Sequence, residues 1–374
     1  MGGNLFMRDS KHPVSHLVLR IVLALVVFSV LDSVVFRTSL YSRILSPDSI
    51  VGTAAWYLKY EGQRPPSHRG DVLVVGDSQM GEGFWAGLAN RNQAGSGLNF
   101  VQGGIPGATL RSLYYFQKVL DPNRDRYKAI VIALPTYRKK SSTETEHLND
   151  RMLDADLLLP VISSREYFEF AGTFTSGEKR MEVGSRVLVQ SLNYQMDFQN
   201  LLLHPITRKR LLALRRGLRE NIALDYAGRD ESMVGLRYDS SSGEIQFPQR
   251  LTEIEREQVK AYLTEQGVVD ADHFDGYSRQ WIARFIELYR GTQTTLVFLR
   301  MPAEVLPQVD AIRRSGPFGT FMPLLRNSPG VKVMDENAFY DLEDPQYFFD
   351  TLHMNHEGRL RFTTRLSEWL ARTL

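Results

Sequence analysis

Asp71-Val72-Leu73-Val74-Val75-Gly76-Asp77-Ser78 is the stretch on which the reading of this chain turns. Its apolar run shows no in–out alternation and is bounded by glycines. That pattern predicts a strand buried on both faces, as in a parallel sheet. Working outward, Phe100-Val101 reads as a short second strand and Leu110–Leu120 as a helix. Ala129–Leu134 reads as a third strand, stopped by Pro135. Strand, helix and strand in alternation predict crossovers in a parallel sheet.

The pattern then breaks. From about 138 to 248 the chain offers helical pieces, including Leu201–Ile222, but no strong buried strand, and the turn-rich Gly235–Phe247 suits a hairpin. Helices are expected at Leu251–Gln266 and Tyr277–Tyr289, strands at Thr294–Leu299 and Val331–Met334, and an amphipathic helix at His356–Leu374. The expected fold is α/β, a parallel sheet flanked by helices. Its core is assembled from 70–137 and 268–374, with 138–267 as a large, mainly helical insertion or cap.

The N-terminal region carries a different signal. Residues 17–36 are apolar except for Arg20, Ser29, Asp32 and Ser33, and roughly 20 such residues span a bilayer. They read as a single transmembrane helix following a cytoplasmic tail at 1–16. Arg8 and Lys11 before it, against Arg37 and Arg43 after it, give only a slight inside bias to the N-terminus. A cleaved signal peptide and a buried helix of the fold are the alternatives. Asp32 is costly in a membrane and suggests either a partner helix or a place at the interface. Residues 37–69, ending in Arg64-Pro65-Pro66-Ser67-His68, read as a stalk or linker.

The bulk numbers exclude several classes. A chain of 374 residues can bury a full core, and a net charge of +2 gives no case for nucleic acid. Arg138-Lys139-Lys140 and Arg208-Lys209-Arg210 are short clusters expected on solvated surface. With no cysteine there is no disulfide, thiolate ligand or thiol nucleophile. His147 and His204 lack metal-ligand spacing, and no phosphate-binding glycine loop follows a strand.

Chemistry points instead to Ser78. It follows the first buried strand, on the rim where open parallel sheets bind ligands. At the start of a helix it lies near unpaired N–H groups suited to an oxyanion. A serine needs an adjacent base. Asp350-Thr351-Leu352-His353, just before the last helix, offers one: the carboxylate can hold one ring nitrogen of His353 while the other faces Ser78. Arg300, after the fourth strand, is expected on the same rim and could hold an anionic or sugar substrate. Asn355 is expected to cap the last helix, and His356 to lie exposed on it.

Gly76-Asp77-Ser78 resembles the first block of the SGNH/GDSL hydrolase superfamily, and Asp350-Thr351-Leu352-His353 its last block. Gln102–Thr109 is similar to the second block, which would make Gly104 and the Ser78 N–H the oxyanion donors. The resemblance covers roughly 70–135 and 290–374 and implies a flavodoxin-like sheet and acyl-ester chemistry with no metal or organic cofactor. One block departs. Where the family carries Gly-x-Asn-Asp, this chain has Pro135-Thr136-Tyr137-Arg138, so the third donor is Tyr137 or Arg138, a residue of the insertion, or absent, and Tyr137 and Arg138 are candidate substrate contacts. The layout as a whole resembles exported proteins that accompany membrane-bound O-acyltransferases, such as the D-alanine-transfer protein of teichoic-acid D-alanylation and the alginate O-acetylation proteins. It implies a membrane-anchored, extracytoplasmic esterase or acyltransferase acting on a cell-surface polymer. A membrane-lipid esterase, or a non-catalytic polymer-binding partner of the acyltransferase, are the other readings.

Overall fold

In the computed structural model, which describes residues 13–46, 49–68, 70–134, 148–163, 165–217, 227–239, 241–264, 271–302 and 322–374, the apolar runs become a five-stranded parallel sheet. Its strands begin with β1 (Gly70–Gly76), β2 (Leu98–Gly104) and β3 (Ala129–Leu134). A separate antiparallel pair, β4 (Arg237–Tyr238) and β5 (Ile245–Gln246), realises the expected hairpin. β6 (Thr295–Arg300) and β7 (Val331–Val333) complete the sheet in the order β2-β1-β3-β6-β7. The chain leaves β1 toward one edge and β3 toward the other, so the carboxyl ends of β1 and β3 flank a switch point, where such sheets open a crevice.

Side-chain alternation along each strand supplies both faces. Leu73, Val75, Ile130, Ile132, Leu296 and Phe298 point to one core, and Val72, Val74, Ala129, Val131, Val297 and Leu299 to the other. Every one of these residues is buried, which is why the strands read as continuous apolar runs.

The N-terminal helix α1 (Pro13–Asp32) continues into a π-helical turn at Ser33–Arg37. Within this stretch His16–Phe36 is long and apolar enough to cross a membrane. The next segment corrects the expectation of a stalk. It holds α2 (Ser39–Ser42) and α3 (Ile50–Gln63), and Ala54 and Leu58 of α3 lie in the main core. Buried Glu61 accepts from Arg64 Nε and Tyr127 Oη, each at 2.8 Å, and Arg64 also reaches Asp71 at 2.9 Å, tying α3 to the start of the sheet.

Next come α4 (Ser78–Gly83), α5 (Ala86–Asn92) and α6 (Leu110–Leu120), and then α7 (Leu153–Leu158), α8 (Tyr167–Gly172) and α9 (Gly177–Leu188). The stretch expected as a cap is divided between the two faces. Leu157, Leu158, Phe170, Phe174 and Val183 join the core beside α6, while Met233, Leu236, Leu251, Val259 and Leu263 join the core beneath the last helix, His356–Thr373. Arg111 of α6, fully buried, fastens the first half: it pairs with Asp154 at 2.7 Å, donates to the carbonyls of Asn149 and Arg151, and lies 4.2 Å from the Phe174 ring centre.

Over its described residues, which end at 217, the helix expected at Leu201–Ile222 is two helices, α10 (Gln195–Leu203) and α11 (Pro205–Gly217). Pro205 has no N–H to continue the ladder and biases His204 away from helical dihedrals, here φ −132°, ψ 50°. Arg208 corrects another expectation: it is buried and bonded to Asp197 and to the Ile44 carbonyl, whereas Lys209 and Arg210 are exposed. Asp32 meets a short turn of its own chain and not a partner helix. It is 4% exposed, and its carboxylate accepts from the N–H groups of Gln190 (2.6 Å) and Ser191 (2.8 Å), capping the short 3-10 turn that precedes α10.

Candidate active site

β1 delivers Ser78 to the rim. Asp77, the N-cap of α4, is extended (φ −85°, ψ −156°) and its side chain accepts from Gln79 N–H at 2.9 Å. Ser78 is therefore the first helical residue, half-buried, with its hydroxyl above the carboxyl end of the sheet. The last helix locks this segment: Thr363 Oγ1 accepts from Trp85 N–H at 2.9 Å and Arg359 donates to the Phe84 carbonyl at 2.6 Å.

Asp350 and His353 sit on a tight antiparallel loop, closed by the Phe348–Met354 bridge and by the Phe349 N–H donating to the His353 carbonyl at 3.0 Å. Asn355 caps the last helix through Gly358 N–H, as expected, and also donates to the Glu231 and Gln346 carbonyls, holding the loop from below. Gln79 donates to the Leu352 carbonyl at 3.2 Å, joining the serine helix directly to the histidine loop.

Three residues separated by up to 275 positions thus meet. His353 Nε2 lies 2.8 Å from Ser78 Oγ, and His353 Nδ1 lies 2.8 Å from Asp350 Oδ2. The tautomer follows from the acceptors. Asp350 Oδ1 already accepts the N–H groups of Leu352 and His353, each at 2.7 Å, so the ionised carboxylate requires Nδ1 to carry the ring proton. Nε2 is then the acceptor for the Ser78 hydroxyl. Burial pushes the Asp350 carboxyl upward, but the His353 ring and the two backbone N–H groups outweigh it and hold the carboxyl below its ordinary value.

Gly104 ends β2 opposite Gly76. Ile105 N–H donates to the Gly76 carbonyl, so by the two-residue alternation Gly104 N–H faces away from β1. A methyl group at Gly104 would fall 2.4 Å from Gly81 N and 2.6 Å from its Cα. The need for glycine here comes from the close approach of β2 to α4. Gly107, at φ +74°, then makes the turn that leads into α6.

Other expected positions fare differently. Arg300 ends β6 on the rim, but its guanidinium is committed to buried Glu343 at 2.6 Å rather than left open. His356 is not exposed: its Nδ1 donates to the Ala227 carbonyl at 2.8 Å. Tyr137 and Arg138 lie outside the described residues. Among the described residues, no cluster of three His, Asp or Glu side chains is placed to hold a metal ion.

The sequence reading missed the flank of the histidine. The Phe349 ring stacks on His353, with centroids 5.7 Å apart and planes 13° apart, and the Arg229 guanidinium lies over the Phe349 ring, 4.5 Å from its centre. Phe349 could have been suspected from its place beside Asp350. Nothing local marks Arg229, which arrives from a distant segment. Compared with known proteins, the sequence matches no protein-family model and no curated protein.

Proposed function

We propose that this chain is a serine esterase or O-acyltransferase of the SGNH/GDSL type, anchored by its N-terminal helix and acting outside the cytoplasm on acyl groups of a cell-surface polymer. The observation that carries the proposal is the continuous relay Ser78–His353–Asp350, two contacts of 2.8 Å with one consistent tautomer. The strand order, read as 2-1-3-4-5 along the sheet, agrees with the flavodoxin-like arrangement that the resemblance implies.

In this reading Ser78 Oγ attacks the carbonyl carbon of an acyl ester while His353 Nε2 takes the hydroxyl proton. Asp350 keeps Nδ1 protonated and stabilises the imidazolium. Negative charge on the carbonyl oxygen is met by the Ser78 and Gly104 N–H groups. Collapse breaks the ester C–O bond, and the leaving alcohol departs with the proton returned from His353, leaving an acyl-serine. A second hydroxyl, from water or a polymer sugar, gives its proton to His353 and attacks the acyl carbon, and the acyl–Ser78 Oγ bond then breaks as Oγ takes that proton back from His353 Nε2. Water gives hydrolysis and a sugar gives transfer. A membrane-bound O-acyltransferase is the partner the layout suggests for supplying the acyl group.

The test is the acyl content of surface polysaccharide, by mass spectrometry, in cells carrying Ser78→Ala. Loss of acyl groups supports transfer, and accumulation supports removal. Polysaccharide unchanged in acylation would overturn the substrate class.

A further inference from the structure

The junction between the N-terminal helix and the rest of the chain is bolted rather than hinged. Asp32 caps the 3-10 turn at Gln190, and Phe36, Tyr41 and Tyr194 form an aromatic trio with centroids 4.8 to 5.2 Å apart. Tyr41 donates to Asp197 at 2.7 Å, and Arg208 joins Asp197 to the Ile44 carbonyl. The elements fixed to the end of the apolar helix are therefore the turn before α10, α10 itself and the start of α11.

Those same elements, with the end of α9 just before them, carry uncovered apolar side chains. Leu188, Met196, Leu202, Leu203 and Ile206 are each exposed, Met196 at 78% and Leu203 at 73%. Met196 and Leu203, seven residues apart on α10, lie on one helical face, while Asp197 turns inward. From Val187 to Leu212 the sole carboxylate is Asp197, which is buried, whereas Lys209 and Arg210 are exposed, as is Arg43 of the preceding segment. Apolar side chains flanked by cations, with no accessible acid among them, suit a surface that enters the headgroup–acyl boundary of an anionic membrane.

We propose that the face bearing Leu188, Met196, Leu202, Leu203 and Ile206 lies in the lipid leaflet next to the point where the N-terminal helix emerges, its occupant being the anionic bilayer surface itself. The proposal rests on reading His16–Phe36 as a membrane span, and its particular basis is the continuity of this face with the end of that helix through the Asp32 cap. One consequence is a fixed tilt. The sheet, and the Ser78 rim with it, is held at one orientation to the membrane instead of swinging on a stalk.

The chain has no cysteine, so single cysteines can be introduced without background. Full-length Leu25→Cys, Met196→Cys, Leu203→Cys and Ile254→Cys are labelled with an environment-sensitive fluorophore. They are reconstituted into vesicles of equimolar phosphatidylcholine and phosphatidylglycerol containing lipid-attached quenchers at shallow or deep acyl positions. Thermal melting of each labelled protein confirms the fold, which these exposed sites leave intact. The expected result is quenching at 196 and 203 at least about two-fold above that at 254, with the shallow quencher the more effective, because interfacial helices enter only about 5–10 Å. Quenching at 25 with none at 196 and 203 overturns the docking face while leaving the span standing, and leaves that face to a protein partner. Absence of quenching at 25 overturns the span and the docking face together.

Discussion

Replacing Asp350 with asparagine isolates the proton relay from the fold. Asp350 Oδ1 accepts two backbone N–H groups at 2.7 Å, and an asparagine carbonyl oxygen can keep both. Its amide NH2 then occupies the place of Oδ2 and points at His353 Nδ1, 2.8 Å away in the wild type. Two N–H groups cannot face each other, so Nδ1 becomes the acceptor and the ring proton moves to Nε2. Nε2 is the atom that must accept from Ser78. The side chain keeps its shape and its loop bonds, yet the base presents the wrong tautomer. Such a reversal lowers kcat by about 10⁴, near 5 kcal/mol of barrier. The assay is turnover of a chromogenic acetyl ester by Asp350→Asn and the wild type, with thermal melting run alongside. A variant that still melts cooperatively as a folded protein, with a loss of that size, is the expected outcome. An Asp350→Asn variant within about ten-fold of wild type, on a rate shown to depend on Ser78, would refute the tautomer argument.

Three further outcomes are expected. The Asp350 carboxyl is held below its ordinary value of 3.8, so the stability it adds is complete above that value and is lost as pH falls through the lower folded one. The melting temperatures of wild type and Asp350→Asn, followed from pH 7 to pH 2, should converge only below about pH 4, and convergence at higher pH would contradict the sign. Asp154→Ala leaves Arg111 charged and fully buried, which costs about 3–5 kcal/mol in denaturant unfolding, and the paired change Arg111→Met with Asp154→Leu should recover most of it. Gly104→Ala drives a methyl into Gly81 and should cost about 1–3 kcal/mol and lower turnover as α4 shifts, whereas Gly95→Ala, with no atom within 4 Å of the added carbon, should change neither rate nor stability.

Local pattern carried the sheet. Val72–Val75 and Ala129–Leu134 are buried on both faces, so the absence of alternation was itself the signal, and β3 has the very limits its apolar run suggests. Ser78, Asp350 and His353 were legible because each sits at a strand or helix boundary where backbone turns present side chains to the rim. Side chains whose partners lie far along the chain were not legible. Asp32 finds Gln190 at 158 positions' distance, Arg111 finds Asp154 at 43, and nothing beside them in sequence announces either pairing. Residues 39–63 mislead for a related reason. Their mixed polarity resembles a linker until Arg64, Arg126 and Tyr127 are seen to enclose Glu61. Arg208 cannot be told from its neighbours by sequence because three consecutive cations look alike, although helical geometry turns only one of them inward.

The most direct test of the central claim is intact-mass measurement after treatment with a fluorophosphonate, which reports covalent attack by one activated hydroxyl. A single adduct is expected on the wild type, mapped to Ser78 by peptide sequencing, abolished in Ser78→Ala and strongly slowed in the folded His353→Ala variant. A folded wild-type protein that takes up no probe, or one whose adduct forms at the same rate without His353, would contradict it.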